Sequence, residues 1–210
     1  MSTATQFRAA QAAIVADLER SFAGVWSATG GEFRLLVKVL PDLVRQSGAM
    51  ASTVAADWYE LRRDVERIPG GFRVTIPAPG DPRTGSLVRW AAKHAASPDS
   101  LVPLITGGLV RRVLNEGRDT IAAATVEDPE AQGWQRQARA DGCGFCAMLA
   151  SRGPVYTKKS VRFASHDNCK CIAVPAFRGR PLPVQPYTPS KRQRSEGERK
   201  AVREWIAKNI

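Results

Sequence analysis

Outside one short stretch this chain has no cysteine. All four lie between positions 143 and 171, so a disulfide framework spread through the fold is excluded. Histidine is scarce as well, with His94 and His166 alone among 210 residues. No run of about 18 apolar residues is present, which argues against a membrane span. The opening Met1-Ser2-Thr3-Ala4-Thr5 has no basic segment followed by an apolar run, so no secretory signal is expected and a reducing compartment follows. A glycine-rich phosphate loop, an H-E-x-x-H pair, a G-x-S-x-G elbow and an internal repeat are all missing.

Charge is unevenly placed. Residues 1–140 hold 17 Lys/Arg against 15 Asp/Glu, a net of +2, whereas residues 141–210 hold 14 against 5, a net of +9. The field of the second part attracts DNA, RNA or an acidic protein surface. The candidate contacts are Lys158, Lys159, Arg162, Lys170, Arg178, Arg180, Lys191, Arg192 and Arg194. Tyr187 is available to stack or wedge, but aromatic residues are too sparse here for a single-strand stacking platform, so any DNA readout is expected to be of phosphates. The plainer reading is a solvated cationic face.

Apolar spacing sets the expected organisation. Phe7, Ala10, Ile14, Leu18 and Phe22 predict a helix over 6–26, which Gly30-Gly31 ends. Leu35, Leu36, Val39, Leu40, Leu43 and Val44 predict a second, with Pro41 as a kink or boundary. A third is expected over 47–68 through Met50, Val54, Trp58 and Leu61. Residues 71–76 read as a short extended piece or a connection. Helices are expected again over 86–96 and 101–124, the latter weakened at Gly107-Gly108. After Pro129 short strands are expected at Gly133–Gln137, Val155–Thr157 and Cys171–Val174, with a helical turn at Cys146–Ser151. Prolines from Pro175 to Pro189 enforce an extended connector. A last helix, Ser195 to Lys208, has capping-box spacing at Ser195 and Glu198 and an apolar face of Val202, Trp205 and Ile206. The fold class is therefore mainly α: a helical domain over 1–127, a small α+β zinc-stabilised module over 128–177, and a Pro-rich basic tail over 178–210 ending in a helix.

The chemistry concentrates in 29 residues. Cys143-Gly-Phe-Cys146 is followed, after nineteen intervening residues, by His166-Asp-Asn-Cys169-Lys-Cys171. Thiolate and imidazole suit Zn²⁺, and four of them close a tetrahedral structural site. A two-residue gap lets a tight turn aim both side chains at one point, and Gly142 and Gly144 ease such a turn at the first pair. The preferred set is Cys143, Cys146, His166 and Cys169, with Cys171 as the other choice for the fourth position and a four-cysteine site as the next. Disulfides, or reduced buried thiols with a hydrogen-bonded His166, are the plain alternatives. Catalytic zinc would need an open position and an acid or base, for which only Asp141 and Asp167 stand close in sequence. His94 reads as a solvated helical histidine.

The string Gly142 to Gly153, then Pro154-Val155-Tyr156, His166-Asp167-Asn168-Cys169-Lys170-Cys171 and Ala173-Val174-Pro175, resembles the C-terminal region of the Mu F-like minor head proteins of tailed bacteriophages, in the branch found in actinobacterial phages. Val113–Ile121 and Trp134 resemble the segment before it, so the resemblance covers roughly 110–177. It implies a structural virion protein in few copies at the portal vertex, partnered by the portal protein, the major capsid protein and packaged double-stranded DNA. Its expected places are the host cytoplasm during assembly and then the capsid interior. No catalytic set is expected. The alternatives are a zinc-containing DNA-binding or nuclease-like protein and a capsid maturation protease, for which Cys171 or Ser151 would be the nucleophile to test.

Overall fold

The computed structural model describes residues 3–139, 142–154, 156, 163, 165–178, 195–197, 200 and 204. The chain is mainly helical. In order it forms α1 (Thr3–Thr29), α2 (Phe33–Val65), α3 (Thr84–His94), α4 (Pro98–Glu127), β1 (Gly133–Gln137), α5 (Gly144–Ala150) and β2 (Ile172–Ala176). The described residues divide into two compact units, one within 1–124 and 163–169, the other within 125–162 and 170–210.

In the first unit α1 and α2 make a helical hairpin. The Gly31 amide donates back to the Trp26 carbonyl at 3.2 Å, and Gly30 and Gly31 both take positive φ, as a left-handed helix end requires. A side chain at Gly31 would also meet the Trp26 ring, at 2.8 Å from its nearest atom. At the far end of the hairpin, Phe7 stacks on Trp58 with centroids 4.4 Å apart, and the Trp58 indole donates to the Thr3 carbonyl.

The expected helix through Leu35 to Val44 and the one expected over 47–68 are one, and Pro41 is no boundary. α2 has 33 residues, about 50 Å at 1.5 Å per residue. Its buried positions Leu36, Leu40, Val44, Ser47, Ala51, Ala55 and Trp58 recur every three or four residues across the expected break. Burial of that unbroken stripe outweighs the one helical donor that Pro41 lacks. Leu35, Val39, Met50 and Leu61, expected in the stripe, are instead exposed.

The core gathers Ile14, Val15, Leu18 and Phe22 of α1, Leu36, Leu40, Val44 and Ala51 of α2, Leu87, Val88 and Ala91 of α3, and Ile105, Leu109, Val110, Val113 and Leu114 of α4. α2 and α4 cross where both are small: a Cβ at Gly117 would stand 2.9 Å from the Ala51 carbonyl oxygen, and one at Gly48 2.9 Å from the Glu116 side chain. Gly108 is likewise pressed against Leu87. Gly107-Gly108 therefore lies well inside a helix that starts at Pro98, because close packing offsets the propensity cost.

Residues 69–82 form no strand. They are tied down by side chains: buried Arg63 donates to the Pro69 carbonyl at 2.5 Å and lies over Phe72, Glu60 accepts the Val74 amide and pairs with Arg73, and Arg112 donates to the Pro82 carbonyl.

In the second unit β1 and β2 pair antiparallel, Gly133 opposite Ala176 through Gln137 opposite Ile172. Of the expected strand at 155–157 only Tyr156 lies within the described residues. It makes an isolated bridge to Trp134, with amide–carbonyl bonds in both directions. Of the expected C-terminal helix, Glu196, Gly197, Lys200 and Glu204 are helical, with Lys200 and Glu204 paired at 3.7 Å; Glu198, Val202, Trp205 and Ile206 lie outside the described residues.

Candidate metal centre

The first ligand pair sits at the start of α5. Cys143 is the N-cap, in extended conformation, and Cys146 is the third helical residue. Those two positions face each other in a helix's first turn, the geometry that a capping box uses with oxygen atoms. The Ala147 amide donates to the Cys143 carbonyl at 3.0 Å, which closes that turn. The glycines act differently from the expectation. Gly144 is simply the first residue of α5, and Gly142 is required for space, since its Cβ would lie 2.9 Å from the Arg139 carbonyl oxygen.

The second pair is set by a reverse turn. The Cys169 amide donates to the His166 carbonyl at 3.2 Å, and Asn168 takes a left-handed φ of 60° between them, a conformation that asparagine tolerates better than most residues. His166 Nδ1 lies 2.7 Å from the Asp167 carbonyl oxygen. In the tautomer that donates this bond the lone pair is on Nε2, the arrangement that metal-binding histidines use to fix their ring. Cys169 and Cys171 precede β2 rather than lying in it.

The donor atoms of Cys143, Cys146 and His166 all lie within 4.8 Å of one another, and so do those of Cys146, Cys169 and Cys171. All five sequence-predicted ligands are thus in the two groups, with Cys146 common to both. Sulfurs on one tetrahedral zinc stand about 3.8 Å apart, given Zn–S bonds of about 2.3 Å, so the spacing fits a metal. Cys146, Cys169 and Cys171 are buried, while Cys143 and His166 are exposed. Three or more soft donors in reach of one point can hold a metal ion.

Sequence reasoning missed what holds the second turn. Arg118 of α4, 1% exposed, donates to the Cys169 carbonyl at 2.5 Å and to Asn115 Oδ1 at 2.8 Å, beneath the Phe163 ring. Ser165 donates to the same Asn115 oxygen at 2.8 Å. Asp167, considered above as an acid or base, lies 3.1 Å from Arg111 in an ion pair. The neighbouring Arg112 guanidinium is pushed below its ordinary range by burial and by Arg111, with Asp167 opposing. The signal was the spacing of Arg111, Asn115 and Arg118, which puts three polar groups on one face of a helix with an apolar stripe.

Of the expected cationic contacts, Lys170 and Arg178 are exposed. Lys158, Lys159, Arg162, Arg180, Lys191, Arg192 and Arg194 lie outside the described residues, as do Tyr187 and Asp141. The Ser151 hydroxyl donates to the Met148 carbonyl at the end of α5. His94 is exposed, stacked on Trp90, with Nδ1 2.8 Å from the Trp90 carbonyl oxygen. No helix among the described residues is long and apolar enough to cross a membrane.

The family model described as VG15 protein matches residues 1–195. The Gene 15 protein of Mycobacterium phage D29 is 31% identical over 131 residues, which is 59% of this chain and 47% of that protein. The chain thus spans about half the length of this curated relative. No solved structure matches.

Proposed function

This chain belongs to the VG15 protein family, a phage protein family by its likeness to the mycobacteriophage Gene 15 protein, and from that we propose that it is a structural minor head protein of a tailed phage. In this reading it is carried at the portal vertex in few copies. It contacts the portal protein and the major capsid protein, and serves head assembly and genome packaging or ejection. The Mu F-like resemblance of residues 110–177 supports the role, and the observation that carries it is the convergence of Cys143, Cys146, His166, Cys169 and Cys171, the same residues on which that resemblance rests. The ion is Zn²⁺ in a structural site, held by Cys143, Cys146, His166 and Cys169, with Cys171 the other choice for the fourth ligand. Zinc there contributes folding free energy directly, beside the apolar residues that the segment buries. The protein is not an enzyme in this reading, and its cationic tail lies against packaged DNA through phosphates.

The test is composition of purified particles. Virions from infected cells, dissociated and sedimented, should yield this chain with the portal ring at a small fraction of the major capsid protein's amount. Its absence from both virions and procapsids overturns the reading. The second reading, a zinc-containing DNA-binding or nuclease-like protein, is favoured only by the net +9 of residues 141–210. It predicts cleavage of DNA on adding a divalent metal, lost when His166 is replaced.

A further inference from the structure

We infer that Arg118 and Asn115 of α4 are positioning residues for the metal: they hold the His166–Cys169 turn ready to ligate, and the Arg118 guanidinium balances the charge that thiolates bring to the ion. This rests on the zinc reading above and adds to it the residues that set affinity.

The turn is held piece by piece from one helix. Ser165 is bonded to Asn115, Asp167 is paired with Arg111, the Asn168 amide donates to the Gly107 carbonyl at 3.4 Å, and the Cys169 carbonyl accepts from Arg118. His166, exposed, is carried between these anchors. Asn168 lies so close over α4 that a Cβ at Gly107 would come within 2.8 Å of its side-chain Nδ2. These bonds fall on backbone and on non-ligand neighbours, so they fix the direction of the His166 and Cys169 side chains without occupying a ligand atom. A site held this way is arranged before the ion arrives.

The buried guanidinium has a second consequence. Three thiolates and a neutral imidazole on a divalent cation leave one net negative charge, which is costly away from water. Arg118 brings a permanent positive charge to the carbonyl of one ligand, and its planar fork reaches Asn115 at the same time. A lysine ammonium keeps the charge and loses the fork.

The experiment uses the full chain loaded with Co²⁺, whose visible bands report tetrahedral thiolate ligation, and follows transfer of the metal to a chelator. Wild type should bind cobalt stoichiometrically. Arg118→Lys and Asn115→Ala should keep their far-ultraviolet helical signal and lose affinity by about 10–100-fold, and Arg118→Met should lose more than Arg118→Lys. Weakened tetrahedral bands in the variants support positioning, because a merely structural role would leave the bands of the bound fraction unchanged. Variants with wild-type affinity and spectrum overturn this inference alone, with the zinc reading intact. A wild-type chain that takes up neither cobalt nor zinc overturns both. If the Arg118 variants do not fold, Asn115→Ala decides, since Asn115 is only half-buried and alanine favours the helix.

Discussion

Pro175 stands opposite Trp134 in the two-stranded sheet, at the one kind of position where its missing N–H costs nothing. The Trp134 amide and carbonyl both bond to Tyr156, at 2.8 and 3.2 Å, on the edge away from β2. Trp134 and Pro175 are therefore a non-hydrogen-bonded pair of an antiparallel ladder, in which neither residue offers the other a donor. The Trp134 ring, 3% exposed, stacks on Tyr156 with centroids 4.3 Å apart.

That stack is expected to be the main apolar anchor of the small sheet. Trp134→Ala should cost about 3–5 kcal/mol, whereas Trp134→Phe should keep most of the stack. Urea unfolding followed by near-ultraviolet circular dichroism measures both. Equal midpoints for the alanine variant and wild type would remove Trp134 from the core.

Two glycines in helices should respond with opposite signs. Gly24 in α1 has open space where a side chain would go, so Gly24→Ala should stabilise by about 0.5–1 kcal/mol through helix propensity. Gly117 faces the Ala51 carbonyl, which is backbone and cannot swing away. Gly117→Ala should destabilise by about 1–3 kcal/mol, because overpacking outweighs the same propensity gain. Thermal melts of the two single variants side by side give the comparison.

Glu116 supplies a pH dependence. Burial, and then repulsion from Asp119, raise its carboxyl above the ordinary 4.5. A folded value above the unfolded one means that the folded state holds the proton more tightly. Stability is thus lost as pH rises from about 4.5 through the folded value, and the cost is complete above it. Glu116→Gln should be more stable than wild type at pH 7 and indistinguishable from it near pH 4. An advantage of the same size at both values would show that charge is not the cause.

How much of this was legible in the sequence depends on where each decision is made. The ligand spacing named all five donors, because two short pairs at fixed gaps admit few geometries. Strand β1 was legible at Gly133–Gln137 from its change of composition. Pro41 misled, since a local helix-breaking rule competes with a stripe that buries Leu36, Leu40, Val44 and Ala51 over many turns. The helix expected over 101–124 runs through Gly107-Gly108, whose value is the closeness of Asn168 and Leu87 rather than a preference of the chain. Arg118 was legible only as one of three polar groups with Arg111 and Asn115 on a helix face: its partner Cys169 is 51 residues away, and such a face reads as surface until the fold brings that carbonyl to it.

The cationic tail makes its own prediction. Replacing Lys191, Arg192 and Arg194 together by alanine should weaken retention on double-stranded DNA at about 0.1 M salt and flatten the salt dependence in proportion to the phosphates no longer neutralised. The thermal midpoint should hardly move, so that lost retention reports lost phosphate contacts rather than unfolding. Unchanged retention would assign these charges to solvent or to an acidic protein surface.

Cys146 should matter more than either neighbouring ligand. Its sulfur lies within 4.8 Å of both Cys143 with His166 and Cys169 with Cys171, so whichever residue completes the site, Cys146 is in it. Cys143 is exposed at the N-cap of α5, where serine is itself a favoured residue. Cys143→Ser should therefore keep α5 and weaken the metal, leaving three donors. Cys146→Ser should abolish stoichiometric binding and, at a buried position, lower the melting midpoint as well. Zinc content by elemental analysis, taken with the melting midpoint, separates the two effects. Cys171→Ser run alongside identifies the fourth ligand, because only the ligand's loss lowers the zinc content. A Cys146→Ser chain with full zinc content would mean that the sulfur shared by both groups is not a ligand.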